Sequence, residues 1–288
     1  MDNNISTYTE ELIKKIGLGT VQFGLDYGIS NYKGKTSFNE VKAILDYAKK
    51  NNIITLDTAS QYGDSEQLLG KIGVINYNVI TKCINVSTKQ ELSSQLYTSL
   101  DKLNLSKIYG YLFHRAEDVL KEPNLWQEMS LFKKKQIVSK IGFSFNSIDE
   151  IEKILNMGIS PSIIQVPYNY LDNRFEKYMI DLHSQGCEIH TRSVFLQGLF
   201  FVNPLSLPSF FDEIKETLKS LCNQRHLSSS LIKYCLSKKF IDKVIIGVNN
   251  LTQLMENIDN LENAILLDNC NLTINNSILT PSKWPKRI

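Results

Sequence analysis

A chain of 288 residues, 42% hydrophobic and 22% charged, has the apolar content to bury a large core. Its formal net charge of +2 excludes the strong basic field of a nucleic-acid binder, and no run nears the roughly eighteen apolar residues of a membrane span. The cysteines (Cys83, Cys187, Cys222, Cys235, Cys270) are odd in number and show no CxxC spacing, and MDNNISTYTEELIKK lacks a signal-peptide run; reduced thiols in a cytoplasmic protein are expected.

In chain order, short β-branched runs alternate with helical patterns. Strands are predicted at 16–20, 53–59, 78–83, 108–114, 139–145, 162–169, 187–195 and 243–248. Between them, apolar residues recur at spacings of three and four, as with Val41, Ile44, Leu45 and Ala48. Ser147 and Glu150 form a capping pattern for a helix that stops at Gly158, and a later helix ends at Gly186. The segment 196–240 is longer than the other crossovers and is expected to hold two helices. Continuous apolar strands joined by helices require a parallel sheet covered on both faces. Eight such units close a (β/α)8 barrel, the TIM barrel, as one α/β domain over 1–288. A doubly wound open sheet is the alternative, but no GxGxxG follows the first strand. Residues 16–263 form the barrel core and 264–288 a short tail.

Chemistry in such a barrel sits at the C-terminal strand ends, where the loops converge. Asp57, Lys82 and His114 end three consecutive predicted strands, and Tyr62 follows Asp57 in the loop. Each has a bland reading: a turn brace, an inward lysine needing a partner, a structural histidine, a surface tyrosine. Jointly they complement one another. A phenol keeps its proton at neutral pH and can act as general acid, while a lysine cation favours the phenolate. Asp57 would hold Lys82 charged, and His114 would orient a carbonyl oxygen. No HxxxH pairing suggests a metal, and His183 falls on a helix.

The stretch DTASQYGDSEQLLG, with GLGTVQFG, ITKC, LFHR, IGFSF, IIQVPYN and IIGVNNLTQLMEN, resembles the aldo-keto reductase family over roughly 16–263. The resemblance implies an NAD(P)-dependent oxidoreductase that reduces an aldehyde or ketone, with Asp57, Tyr62, Lys82 and His114 as the catalytic set. It implies that Ser144 and Gln165 bind the nicotinamide carboxamide, with Gly19 and Thr20 nearby. Gly247, Asn250, Gln253 and Asn257 would hold the phosphates and adenosine. Where the family has a stacking tyrosine this chain has Arg192, followed by Ser193, which is expected to serve cofactor or substrate. Phe145 follows Ser144 where the family usually has Asn, and Asn146 comes next.

The family expectation is NADPH. The neutral Asn249 and Asn250, where many members carry Arg or Lys, make NADH the alternative. Substrate-pocket candidates are Phe23, Tyr27, Trp126, Phe195, Phe200 and Phe201. The short tail is expected to leave the site open, which suits a bulky polar substrate such as a sugar or sugar derivative. A monomer is expected, without nucleic-acid or membrane partners. Two other readings remain: a cofactor-sensing regulatory subunit with this fold, and a related barrel that removes water.

Overall fold

Eight parallel strands close into a barrel in strict sequence order in the computed structural model, which describes residues 6–285. They are β1 (Ile16–Gly19), β2 (Thr55–Asp57), β3 (Asn78–Cys83), β4 (Ile108–Phe113), β5 (Val138–Ser144), β6 (Ile163–Pro167), β7 (Glu188–Arg192) and β8 (Lys243–Gly247). β8 returns to pair with β1, so the sheet has no open edge. The predicted run at 53–59 is trimmed to Thr55–Asp57, which pair with both neighbours, and that at 187–195 to Glu188–Arg192, which pair with β6.

Helices α1 (Thr7–Lys14), α2 (Val21–Gly24), α3 (Phe38–Lys50), α4 (Ser65–Ile72) and α5 (Lys89–Leu103) cover the first half. α6 (Glu117–Lys121), α7 (Asn124–Lys134), α8 (Ile148–Asn156) and α9 (Glu176–Ser184) follow. α3 buries Val41, Ile44, Leu45 and Ala48, the face its spacing marks. α8 begins with the full Ser147–Glu150 capping box, and Gly158 beyond its end takes a left-handed φ of 73°. The long segment after β7 holds three short 3₁₀ turns, then α10 (Asp212–Cys222) and α11 (Leu227–Leu236). α12 (Leu251–Asp259) follows β8.

Strand alternation decides which side chains face the barrel interior. Ile80 on β3, Leu112 on β4 and Ile163 on β6 form a small buried apolar cluster. Two residues further along the chain come Lys82 on β3, His114 just past the end of β4 and Gln165 on β6. Sheet register brings the other strand ends to the same level: Gly19 lies opposite both Asp57 and Gly247, and Ser144 opposite Gln165. An apolar floor thus carries a polar layer directly below the mouth.

Candidate active site

The centre of that layer is an ion pair. Lys82 is wholly buried, and its Nζ donates to Asp57 Oδ1 at 2.8 Å, Asp57 Oδ2 at 2.7 Å and the Thr58 carbonyl at 2.9 Å. All three ammonium hydrogens have partners, which offsets the cost of removing the charge from water. Burial still holds Lys82 below the ordinary lysine range, with Asp57 as the main opposing influence. Gln165 Nε2 donates to Asp57 Oδ1 at 2.8 Å, and Ser144 Oγ lies 3.4 Å from Gln165 Oε1.

Above the pair, the loop after β2 turns back toward the barrel axis and carries Tyr62. Two glycines permit that turn. Gly63 has a φ of 58°, and a Cβ there would fall 2.4 Å from the Gly24 carbonyl oxygen. A Cβ on Gly24 would fall 1.8 Å from the Tyr62 carbonyl oxygen, so the loops after β1 and β2 touch backbone to backbone. Ser65 ties the same junction, with Oγ 2.8 Å from Thr20 Oγ1. Glu66 accepts the Thr81 hydroxyl at 2.6 Å beneath it. Asp64 sits at the N-terminus of α4, but its carboxylate pairs with Lys35 and forms no cap hydrogen bond.

Lys82 Nζ lies 5.3 Å from the Tyr62 ring centroid, and the Tyr62 and His114 rings meet edge to face at 5.9 Å. The lysine touches the tyrosine through its field only, because its hydrogens are committed to Asp57 and Thr58. Burial, followed by the Asp57 charge, pushes the Tyr62 phenol well above its ordinary value. Arg192 acts in the opposite direction. Burial, with Lys82, Arg192 and Arg115, lowers His114 to about 3, so its imidazole is neutral at neutral pH. Gln61 Nε2 lies 3.0 Å from His114 Nδ1 and 3.3 Å from Nε2, and can donate to one of them.

Tyr62, His114 and Asp57 line a cavity of about 790 Å³ that runs from the barrel mouth to β8 and α12. Of the other candidate residues, Gly19, Thr20, Arg192, Ser193, Gly247, Gln253 and Asn257 line it. Ser144 and Gln165 do not; they sit below it in the network that fixes Asp57. Asn250 does not line it either: its side chain caps α12 by accepting from Gln253 N–H, and Asn249 takes the wall position. Among the aromatic candidates Tyr27, Phe195 and Phe201 line the cavity. Phe23 and Phe200 are fully buried in the core, and Trp126 stacks on Phe143.

Three lining features are not evident from the sequence patterns. Gln22, on α2 just after β1, approaches Gly247 so closely that a Cβ there would meet its Nε2 at 2.5 Å. Gln197 and Gly198, which follow Leu196 in a left-handed run, line the cavity. Gln197 O accepts from Ile29 N–H, and its Nε2 donates to Tyr27 Oη. Thr280, Pro281 and Ser282 form part of the wall, so the short tail returns to the cavity. It is fastened there by Ile278 and Leu279 in the core and by Trp284, whose ring meets Phe211 and whose Nε1 donates to the Ile278 carbonyl.

The far end of the cavity suits a dinucleotide. Gln22 Oε1 and Asn249 Oδ1 are buried there without partners, and the first turns of α11 and α12 contribute Leu227, Ser228 and Gln253 to the wall. α11 starts without a side-chain cap, and such a helix N-terminus presents backbone N–H groups to phosphate, whereas Glu40 and Asn250 already take the Leu251 and Gln253 N–H groups of α12. Among the described residues no group of three or more metal-ligating side chains converges, and no helix is long and apolar enough to cross a membrane.

The sequence model of the Aldo/keto reductase family matches residues 15–272. No curated protein matches significantly in sequence. Among solved structures, aldo-keto reductase AKR11C1 from Bacillus halodurans in its holo form is similar in fold, with a TM-score of 0.72 at 22% identity. The alignment covers 88% of each chain. A Pseudomonas aeruginosa protein, PA4992, named for the same family, gives a TM-score of 0.67 at 18% identity over 86% of this chain and 90% of that one.

Proposed function

The chain belongs to the aldo/keto reductase family of NAD(P)-dependent oxidoreductases, and from that premise we propose that it reduces an aldehyde or ketone with Tyr62 as proton donor. The observation that carries this reading is the convergence of Tyr62 and His114 on one cavity directly above the buried Asp57–Lys82 pair. When bound, the reduced nicotinamide supplies hydride to the carbonyl carbon. Tyr62 holds its proton over the physiological range and gives it from Oη to the carbonyl oxygen as negative charge develops there. The resulting phenolate faces the fields of Lys82 and Arg192. His114, neutral, accepts from Gln61 at one ring nitrogen and donates its remaining N–H to the same oxygen. Ser144 and Gln165 act as positioning residues: through Asp57 they fix the lysine.

We propose NADH as the preferred cofactor over the expected NADPH. The side chains lining the β8–α12 end are neutral amides (Gln22, Asn249, Gln253 and Asn257) with one carboxylate, Glu256. A 2′-phosphate there would lose hydration and find no cation among the described residues that line this end, whereas a free hydroxyl can bond an unpartnered amide. The test is consumption of NADH and of NADPH with a panel of aldehydes, alongside Tyr62→Phe. The variant should lose turnover by about 10²–10⁴-fold while still quenching its fluorescence with NADH. A wild-type protein that binds NADH but reduces no aldehyde would overturn the reading.

A further inference from the structure

The charges around the cavity do not cancel. Asp57 is matched by Lys82, His114 is neutral, and Tyr62 is protonated. Arg192 at the end of β7 remains. It forms none of the ion pairs among the described residues. Its guanidinium is pinned by uncharged acceptors: Nη2 donates to the Phe145 carbonyl at 3.1 Å and to Asn146 Oδ1 at 2.6 Å, and Nη1 to Ser193 Oγ at 3.3 Å. A guanidinium has five N–H donors, so two are left over. Among the described residues, the only other charged lining residue besides Asp57 is Glu256, on α12. A half-buried cation held in a fixed pose without a counter-ion is the arrangement that receives one from a ligand.

We propose that Arg192 is the specificity-determining residue of this site, and that the substrate is a carbonyl compound carrying an anionic group, carboxylate or phosphate, close to the reacting carbonyl. The inference rests on the carbonyl-reductase reading and adds the substrate class to it. Arg192 lines the same cavity as Tyr62 and His114, and its charge acts on Tyr62, Lys82 and His114 alike. An anion drawn to the guanidinium therefore sits beside the proton-transfer groups, and Tyr27, Phe195 and Phe201 give the organic part of the substrate an apolar wall. At a half-buried guanidinium such attraction is stronger than at a fully exposed one.

The test compares matched aldehydes that differ in charge: 4-carboxybenzaldehyde with 4-methylbenzaldehyde, and glyceraldehyde 3-phosphate with glyceraldehyde. For each pair the ratio of kcat/KM, anionic over neutral, cancels effects on cofactor binding and folding that both members share. The wild type should favour the anion about tenfold or more in at least one pair, and added salt should lower that ratio. Arg192→Gln should cut the ratio by about tenfold, and Arg192→Lys should keep part of it. The favoured pair tells carboxylate from phosphate. In a readout without turnover, benzoate should bind the wild-type–NADH complex more tightly than benzamide, and the difference should vanish in Arg192→Gln. A wild-type ratio near one, or a preference that survives Arg192→Gln, overturns the inference and leaves the reductase reading intact. Failure to reduce any of the four aldehydes, with NADH still bound, removes both.

Discussion

Asp57→Asn tests the ion pair at the heart of the site through stability, without any assumption about substrate. Asp57 accepts two of the three Lys82 N–H bonds, and the lysine side chain has no solvent exposure. Removing one partner of a buried pair costs about 3–5 kcal/mol, since the other charge stays buried and unmatched. An asparagine of the same shape keeps one acceptor oxygen, so the expected loss is near the lower end, about 3 kcal/mol. The sign with pH also follows. Burial already holds Lys82 below its ordinary value of 10.5, and loss of the Asp57 charge lowers it further. Between the depressed folded value and 10.5 the unfolded chain binds one more proton than the folded chain, so stability rises with pH across that window. The Asp57→Asn deficit should therefore shrink from about pH 7 to about pH 10. Urea unfolding of the wild type, Asp57→Asn, Lys82→Met and the double variant measures it. The double variant, with both charges gone, should recover roughly 2 kcal/mol or more relative to additivity. A single-variant loss under about 1 kcal/mol, or strict additivity, would show that the pair carries no such coupling.

Further outcomes are expected. His114, depressed to about 3 from 6.5, makes the folded chain bind fewer protons than the unfolded one in that interval, so stability falls as pH drops through it. His114→Gln should flatten that part of the pH–stability curve, and an unchanged slope would place the acid sensitivity elsewhere. Gly63→Ala should cost about 1–2 kcal/mol for the left-handed backbone plus roughly 1–3 kcal/mol for the contact with Gly24. Gly34→Ala, with a φ of 73° but nothing within 4 Å, should show the backbone part alone. Equal losses in thermal unfolding would mean that the two loops do not meet. Asn249→Arg should raise NADPH affinity about tenfold relative to NADH by placing a cation on the cavity wall, measured by fluorescence titration. No change in the ratio would place the 2′ position away from Asn249.

Much of this protein was legible as pattern. Short β-branched runs between helical spacings located all eight strands to within a few residues, and the Ser147–Glu150 cap and the turns at Gly158 and Gly186 were local signals. Asp57, Tyr62, Lys82 and His114 could be read together because each stands at a strand end or in the loop beyond it. Roles that depend on side-chain direction were less accessible. Ser144 and Gln165 fall at suitable strand positions, yet Ser144 bonds Gln165, which in turn donates to Asp57. Asn249 and Asn250 are identical in type, and only the start of α12 decides that the second caps the helix while the first lines the cavity. Nothing local in LTPSK indicates that Thr280–Ser282 return to the cavity wall, because Trp284 meets its partner Phe211 far away in the chain.

The sequence by itself determined the barrel and the chemical kinds of group at its mouth, since alternation and strand order are short-range properties that hydrophobic burial converts directly into topology. Tertiary structure decided which charges find partners. Lys82 meets Asp57 across two neighbouring strands and is neutralised, while Arg192 meets only carbonyl, amide and hydroxyl oxygens and keeps its charge. Pairing depends on distances of a few ångströms between residues far apart in the chain, and electrostatic energy in a buried site changes steeply over such distances.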